Sequence, residues 1–294
     1  MKFSGFNKRV SDAIAGYVLI LPFLLVLVVV VLYPLVQGFY MSFHNWGIFG
    51  QPTFIGLQNY RQLWTDDTFR SSLWHTVYFV LLTTPPLVIL GLLMAAGLNY
   101  PFRGRTAVRG MIFFPYLLTV SIISIIWRWM LQRNYGLVNY YLGKLGFEAV
   151  GWLAEARTAM PSIALATIWW TIGFNVVVFL AALQDIPEEL YEAARIDGAG
   201  AVKSFFRITV PLIRPTMAFV IIMQVIASFQ VFGQVFVMTG GGPYGSTRTV
   251  VQYLYEQGFR YFRMGYASAI AYVLFFIMFI LTIIQWKTMG RREV

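Results

Sequence analysis

The residues able to do chemistry inside the apolar stretches of this chain are amides, hydroxyls and aromatic rings. Thr167, Thr171 and Asn175 recur every fourth residue, with Trp170 and Phe174 beside them; Gln224 and Ser228 form a second row, with Gln230 and Gln234 on a neighbouring face. Residues four apart share a helix face. A lipid-facing amide is costly, so these faces point at other helices or at a wet cavity. Two uses fit that chemistry. Amides and hydroxyls next to a flat ring suit a sugar, which offers hydroxyls at its rim and an apolar C–H face. The same groups can instead serve only to bond one helix to another.

Catalysis is a poor match, because no nucleophile, base or metal cluster can be assembled from the polar residues. His44 and His75 lack a second His, Asp or Glu at ligand spacing and read as packing residues near the outer ends of the first two apolar spans. Gly143-Lys144 runs into Leu145 without the earlier glycine of a phosphate-binding loop, so an ATP-driven step would need another chain. The glycine-rich run Thr239 to Thr247 has no lysine at a following helix start, and Pro243 makes it a shaped outer loop. No Asp or Glu falls in an apolar span, which argues against a proton-coupled carrier. Arg128, between Trp127 and Trp129, is placed to snorkel. Cysteine is absent, so there is neither a disulfide frame nor a thiolate site.

Membrane helices must position these groups. The 294 residues are 59% hydrophobic, 18% aromatic and 12% charged, with a mean hydropathy of +0.68, against roughly 25% charged in soluble domains. Six stretches can each supply the roughly 20 apolar residues that cross a bilayer core: about Ala15–Tyr40, Trp74–Leu98, Gly110–Met130, Met160–Leu183, Thr216–Met238 and Tyr266–Trp286. Lipid leaves no unpaired backbone group satisfied, so they are helices, and the chain is an all-α integral membrane protein. Pro85-Pro86 should kink the second span and Pro115 the third.

Orientation follows from Lys and Arg placement. With the N-terminus inside, thirteen basic residues are cytoplasmic: Lys2, Lys8, Arg9, Arg103, Arg105, Arg109, Arg195, Lys203, Arg207, Arg214, Lys287, Arg291 and Arg292. The outer loops hold eight, so both termini are expected in the cytoplasm. Part of the net charge of +10 is this topology signal and part meets anionic lipid, with no nucleic acid needed to explain it. The first span follows basic residues but has no small-x-small cleavage site, and reads as a retained anchor. The expected organisation is a cytoplasmic segment over 1–14 and a transmembrane domain over 15–294, with a core at about 70–286 and a polar loop at 184–214.

That loop carries Glu192-Ala193-Ala194-Arg195-Ile196-Asp197-Gly198 and, after a polar stretch, Ile208-Thr209-Val210-Pro211. Asp185 with Glu188 reads as a capping box, Pro187 sits in the first turn, and Gly198 ends the helix in a left-handed turn, giving a helix over about 186–197. Leu190, Ala193, Ala194 and Asp197 would form one face small enough for another protein to approach. A second short helix carries Val202, Phe205 and Phe206, and Pro211 is expected to stop it.

These residues resemble the EAA loop of ABC importer permeases. Asp197-Gly198-Ala199, Trp152-Leu153, the Gly241-Gly242-Pro243 run and Phe259 through Gly265-Tyr266-Ala267 narrow the resemblance to the carbohydrate-uptake class of type I importers, similar to the maltose and glycerol-phosphate permeases. It covers nearly the whole chain; Val210 stands where a leucine is common. The resemblance implies the six-helix type I permease fold in a bacterial or archaeal cell membrane. Glu192, Ala193, Ala194, Asp197, Gly198, Ala199 and Pro211 would couple to the ATPases. It implies a second homologous permease, two ATPase subunits that bind ATP and Mg, and an extracytoplasmic solute-binding protein, with no cofactor on this chain. Sugar-contact positions carry over to Thr167, Trp170, Thr171 and Phe174 and to Gln224, Ala227, Ser228 and Val231, joined by Asn175 from the polar row. Side chains there differ from those of the maltose permease. An importer of amino acids or other small polar solutes, or a channel or carrier without an ATPase, is the competing reading.

Overall fold

The computed structural model describes the backbone of residues 4–289 and the side chains of 12–288. Lys2, Arg291 and Arg292 lie outside the described residues, as do the side chains of Lys8 and Arg9. The helices in chain order are α1 (Ser4–Val26), α2 (Tyr33–Ser42), α3 (Gln58–Thr65), α4 (Asp67–Asn99), α5 (Arg105–Phe113), α6 (Val120–Met130), α7 (Leu137–Lys144), α8 (Ala156–Gln184), α9 (Glu188–Ile196), α10 (Ala201–Ser204), α11 (Val210–Leu212), α12 (Arg214–Phe229), α13 (Gly233–Met238), α14 (Val250–Tyr255) and α15 (Met264–Met289). They fall into two units: the chain up to Thr65 with Glu256–Tyr272, and Asp66–Tyr255 with the chain from Val273.

Among the described residues, four stretches are long and apolar enough to cross a membrane: Asp12–Ser42, Asp67–Asn99, Ala156–Gln184 and Met264–Thr288. Two bent pairs bring the number to six if each is one span: Arg105–Leu117 with Val120–Met130, bent by 99°, and Ala201–Leu212 with Arg214–Phe229, bent by 70°. The third span is thus bent beside Pro115, where a kink was expected, whereas the fifth, expected as one unbroken run, is corrected. Pro115 sits in a 3₁₀ turn over Phe114–Leu117, and the chain turns extended at Leu118 and Thr119 before α6 begins. The stretch Thr216–Met238 is likewise divided, at residues 230–232 between α12 and α13. At about 1.5 Å per residue, the 16 residues of α12 fall short of a bilayer core of about 30 Å. Pro85 and Pro86, by contrast, sit inside α4, which continues as one helix.

In the first unit, α1, a π-helical stretch and α2 form a helix on which the large apolar side chains from Ile14 to Val36 are mostly exposed. A short antiparallel pair, His44–Asn45 with Thr53–Phe54, follows it. Asn59 ties this turn down by donating Nδ2 to the Ser42 carbonyl at 2.8 Å and the His44 carbonyl at 3.1 Å. His44 is buried among Tyr40, Trp46 and Phe54, with Nδ1 2.8 Å from the Tyr40 carbonyl. Its place is one of packing.

The second unit is built on α4 against α8. Asp66 caps α4, its Oδ1 accepting from the amides of Thr68 at 2.9 Å and Phe69 at 3.1 Å. One apolar layer joins Phe79, Leu131, Met160, Ile163 and Val235; a second joins Leu92, Val176, Phe179, Leu183 and Val220. Two glycines set the helix spacing. A Cβ on Gly91 would stand 3.0 Å from the Cβ of Asn175, and one on Gly173 would stand 2.8 Å from the Cα of Phe113 and strike the Ile112 carbonyl. The two breaks also meet: a Cβ on Gly233 would stand 2.9 Å from a methyl of Val120. Each residue opens the helix that follows a break.

Candidate functional site: a polar seam and a projecting loop

Between the two apolar layers runs a seam of buried polar groups. Gln224 Nε2 donates to Asn175 Oδ1 at 2.8 Å, and Asn175 Nδ2 donates to the Leu87 carbonyl at 3.2 Å, so α4, α8 and α12 are joined through one amide pair. Ser228 Oγ lies 3.0 Å from Thr83 Oγ1, which donates to the Phe79 carbonyl at 2.8 Å. The sequence marked Asn175, Gln224 and Ser228 as groups that must find partners; Thr83 and the Leu87 carbonyl were the missing partners. A backbone carbonyl leaves no trace in a sequence. Thr167 and Thr171 donate their hydroxyls back to Ile163 and Thr167 of their own helix.

The aromatic half of the expected site falls at the first break. Trp170 Nε1 donates to the Leu118 carbonyl at 3.1 Å, and Phe174 stacks on Tyr116 at 5.4 Å between centroids. Leu118 has left the helix, so its carbonyl is free to accept from outside it. Val231 is buried in the second break, its carbonyl accepting from Thr249 Oγ1 at 3.0 Å, while Ala227 and Gln230 are exposed and Gln234 is buried. Arg128 donates to the Val237 carbonyl at 3.2 Å. Two discontinuous helices next to aromatic and hydroxyl groups are the arrangement that transporters use at their solute sites.

Truncating Gln224 separates the two roles of the seam. Gln224→Ala leaves Asn175 Oδ1 buried without its donor, a loss of about 1–3 kcal/mol. The expected result is a lower melting temperature and lower yield of assembled complex, with uptake per assembled complex close to wild type. A higher half-saturation at full stability would move Gln224 to the solute instead.

The loop has a different construction. The expected capping box is not formed: Asp185 keeps helical angles and its amide still bonds the Ala181 carbonyl, so it ends α8. An N-cap needs extended backbone, and Pro187 has it at ψ 133°, so α9 starts at Glu188 with two glutamates in its first turn. The far end forms as expected. Gly198 has φ +73°, the Ala199 amide bonds the Ala194 carbonyl at 2.8 Å and the Gly198 amide bonds the Arg195 carbonyl at 3.1 Å, the paired bonds of a Schellman end.

Nor does Pro211 stop the second helix. A π-helical stretch over Phe205–Thr209 precedes it, Pro211 lies in the first turn of α11, and the helical run ends at Leu212, before Ile213. The missing N–H of Pro211 thus falls where the ladder is already widened by one residue. Tyr191 OH and Thr209 Oγ1, 2.8 Å apart, pin α9 to this run. Ala194 turns inward and is buried, which corrects the expected face; Leu190, Ala193 and Asp197 point outward. Around them Ile196 is 87% exposed, Val202 72% and Phe206 65%. The knob is held from beneath by Ala194, Tyr191 and Phe205, and offers apolar side chains to whatever covers it.

The glycine-rich run is a built loop. Gly240, Gly241 and Gly245 have positive φ, the Thr239 and Thr247 hydroxyls lie 2.8 Å apart, and Thr247 Oγ1 donates to the Gly242 carbonyl at 2.8 Å. Gly241 passes so close to Gln252 that a Cβ would stand 2.6 Å from Nε2, and Tyr244 is fully exposed at the tip.

Comparison with known proteins identifies the family. The family described as "Binding-protein-dependent transport system inner membrane component" matches residues 67–288, from the first residue of α4 to near the end of α15. The sulfoquinovosyl glycerol transport system permease protein SmoG of Agrobacterium fabrum is 35% identical over 96% of this chain and 92% of its own length. The multiple sugar-binding transport system permease protein MsmF of Streptococcus mutans is 33% identical over 98% of this chain and 99% of its own. Among solved structures, a bacterial ABC transporter involved in import of the acidic polysaccharide alginate superposes with a TM-score of 0.87 at 23% identity, covering 98% of this chain and 99% of that one. The chain belongs to the binding-protein-dependent transport system inner membrane components, as a membrane-embedded permease subunit.

Proposed function

We propose that this chain, with a second homologous permease, forms the pathway by which a saccharide delivered by an extracytoplasmic solute-binding protein crosses the membrane. The names of its relatives, a sulfoquinovosyl glycerol permease and a multiple sugar-binding permease, support the substrate class. The single observation that carries the mechanism is the loop: a short helix with a Schellman end, anchored below and apolar above, is shaped to be gripped and moved by another protein. Two ATPase subunits, which bind the ATP and Mg, hold it there. Their closure pulls on the 184–214 loop, and the unit rocks between outward-open and inward-open states. Within this chain the solute meets Trp170, Phe174, Thr167, Thr171 and Val231 near the breaks, while the Asn175–Gln224 and Ser228–Thr83 pairs keep the helices in register.

In this reading the first bent pair is one span and α12 with α13 supplies the fifth, giving six, with both termini and the 184–214 loop in the cytoplasm and the Tyr244 loop outside. The absence of cysteine makes the topology directly testable. A membrane-impermeant thiol reagent should label Tyr244→Cys in intact cells and Val202→Cys only after permeabilisation; the reverse pattern overturns the orientation. The transport reading is tested in proteoliposomes holding the assembled complex and its binding protein. ATP-dependent saccharide uptake is expected, and uptake of amino acids alone would select the competing importer.

A further inference from the structure

At the end of α8 remote from the loop lies a recess of about 280 Å³, lined by Trp129, Arg133, Asn134, Tyr135 and Tyr140 among others. Its frame is rigid. The Asn139 side chain donates Nδ2 to the carbonyls of Arg133 at 3.0 Å and Val150 at 2.9 Å, and its Oδ1 accepts from the Val150 amide at 3.2 Å and Trp152 Nε1 at 2.9 Å. All four valences of the amide are used. Gly136 completes the turn, since a Cβ there would stand 2.6 Å from the Gln132 amide nitrogen. On this frame the rings stay bare: Trp129 is 52% exposed, Tyr135 65% and Tyr140 56%. Among the described residues Arg133 bonds through its backbone only, and Lys144 lies 4.6 Å over the Tyr140 ring.

Depth identifies the occupant. Leu131, which immediately precedes the recess-forming turn, packs in one cluster with Met160 and Ile163. The 29 residues of α8 span about 43 Å against a hydrocarbon core of about 30 Å. Shared between both ends, the excess puts the hydrocarbon boundary about four residues in, at Met160. The recess therefore opens at headgroup level. An aromatic belt accounts for Trp and Tyr at this depth, but it requires neither a recess nor an arginine lining one.

We propose that this recess binds the headgroup of an anionic glycerophospholipid in the leaflet opposite the loop, with Arg133 on the phosphodiester, Lys144 as a second cation, and Asn134 and the tyrosine hydroxyls on the polyol. The test uses the full-length chain with its partner subunits in nanodiscs of phosphatidylcholine holding a minor fraction of phosphatidylglycerol. Lipid retained after detergent transfer is read by native mass spectrometry. Phosphatidylglycerol should be enriched over phosphatidylcholine; each cation near an anionic lipid counts about fivefold, so Arg133→Gln should lower the enrichment about fivefold and adding Lys144→Gln about twenty-five-fold. Should Arg133→Gln assemble poorly, brominated phosphatidylglycerol serves in its place: it should quench the wild-type complex more than Trp129→Phe. Equal retention of the two lipids, or enrichment and quenching unmoved by these changes, overturns the proposal. So does glucuronate binding in pure phosphatidylcholine discs that Arg133→Gln abolishes, which would make the recess a site for a soluble acidic saccharide.

Discussion

Gly198→Val is expected to abolish most transport while leaving the transmembrane fold intact. A Cβ at Gly198 meets nothing within 4 Å, so the effect is one of backbone alone. At φ +73° a β-branched residue is strained by about 1–3 kcal/mol, and relief would break the bonds from the Ala199 and Gly198 amides that close α9. With 1.4 kcal/mol equal to a factor of ten, the docking equilibrium of the loop should weaken by about ten- to a hundredfold. Uptake, and recovery of the ATPase subunits with this chain, are the readouts. Gly198→Asn, which tolerates the left-handed region, should keep most of both. A valine variant that purifies intact and transports at the normal rate would end the assignment of this turn as a transmitter.

The second large effect is expected at Gly173. Its neighbour is backbone: Phe113 Cα would lie 2.8 Å from the new methyl, so Gly173→Ala can be accommodated only if α5 withdraws from α8. Forcing a methyl into a packed contact costs about 1–3 kcal/mol, and α5 leads directly to the break whose Leu118 carbonyl accepts from Trp170. The melting temperature of the complex and its uptake should fall together. Gly97→Ala, in α4 with nothing within 4 Å, is the control; removing a helical glycine there should stabilise by about 0.5–1 kcal/mol. Matching melting curves for the two variants would show that the α5–α8 contact is looser than it looks.

The spans that α4, α8 and α15 supply were legible because an unbroken apolar run is a strong and simple signal. Of the breaks, the first was marked only as a kink at Pro115 and the second was not marked at all. Thr119 and Gln230 are ordinary residues, and what opens the chain there is tertiary: Val120 against Gly233, and side chains that take up the released carbonyls of Leu118 and Val231. Pro115 and Pro86 show how little a proline decides alone, since one precedes a 99° bend and the other lies within a continuous helix. The glycine end of α9 was readable from Gly198, whereas the capping-box pattern misled because Asp185 was already committed to α8. Burial of Asn175 and Gln224 followed from their polarity; that they face each other did not.

That last pairing has a consequence for how the chain is made. Asn175 and Gln224 are separated by 49 residues, so at a synthesis rate of about 5–20 residues per second α12 follows α8 by about 2–10 s. The Leu87 carbonyl is already in place when α8 arrives, and satisfies Asn175 Nδ2 at once. Its Oδ1 has no such early partner and must wait in the bilayer, or in the insertion machinery, until Gln224 emerges. The amide pair thus acts as a late checkpoint in biogenesis, closing only when the fifth hydrophobic segment has been delivered beside the second and fourth.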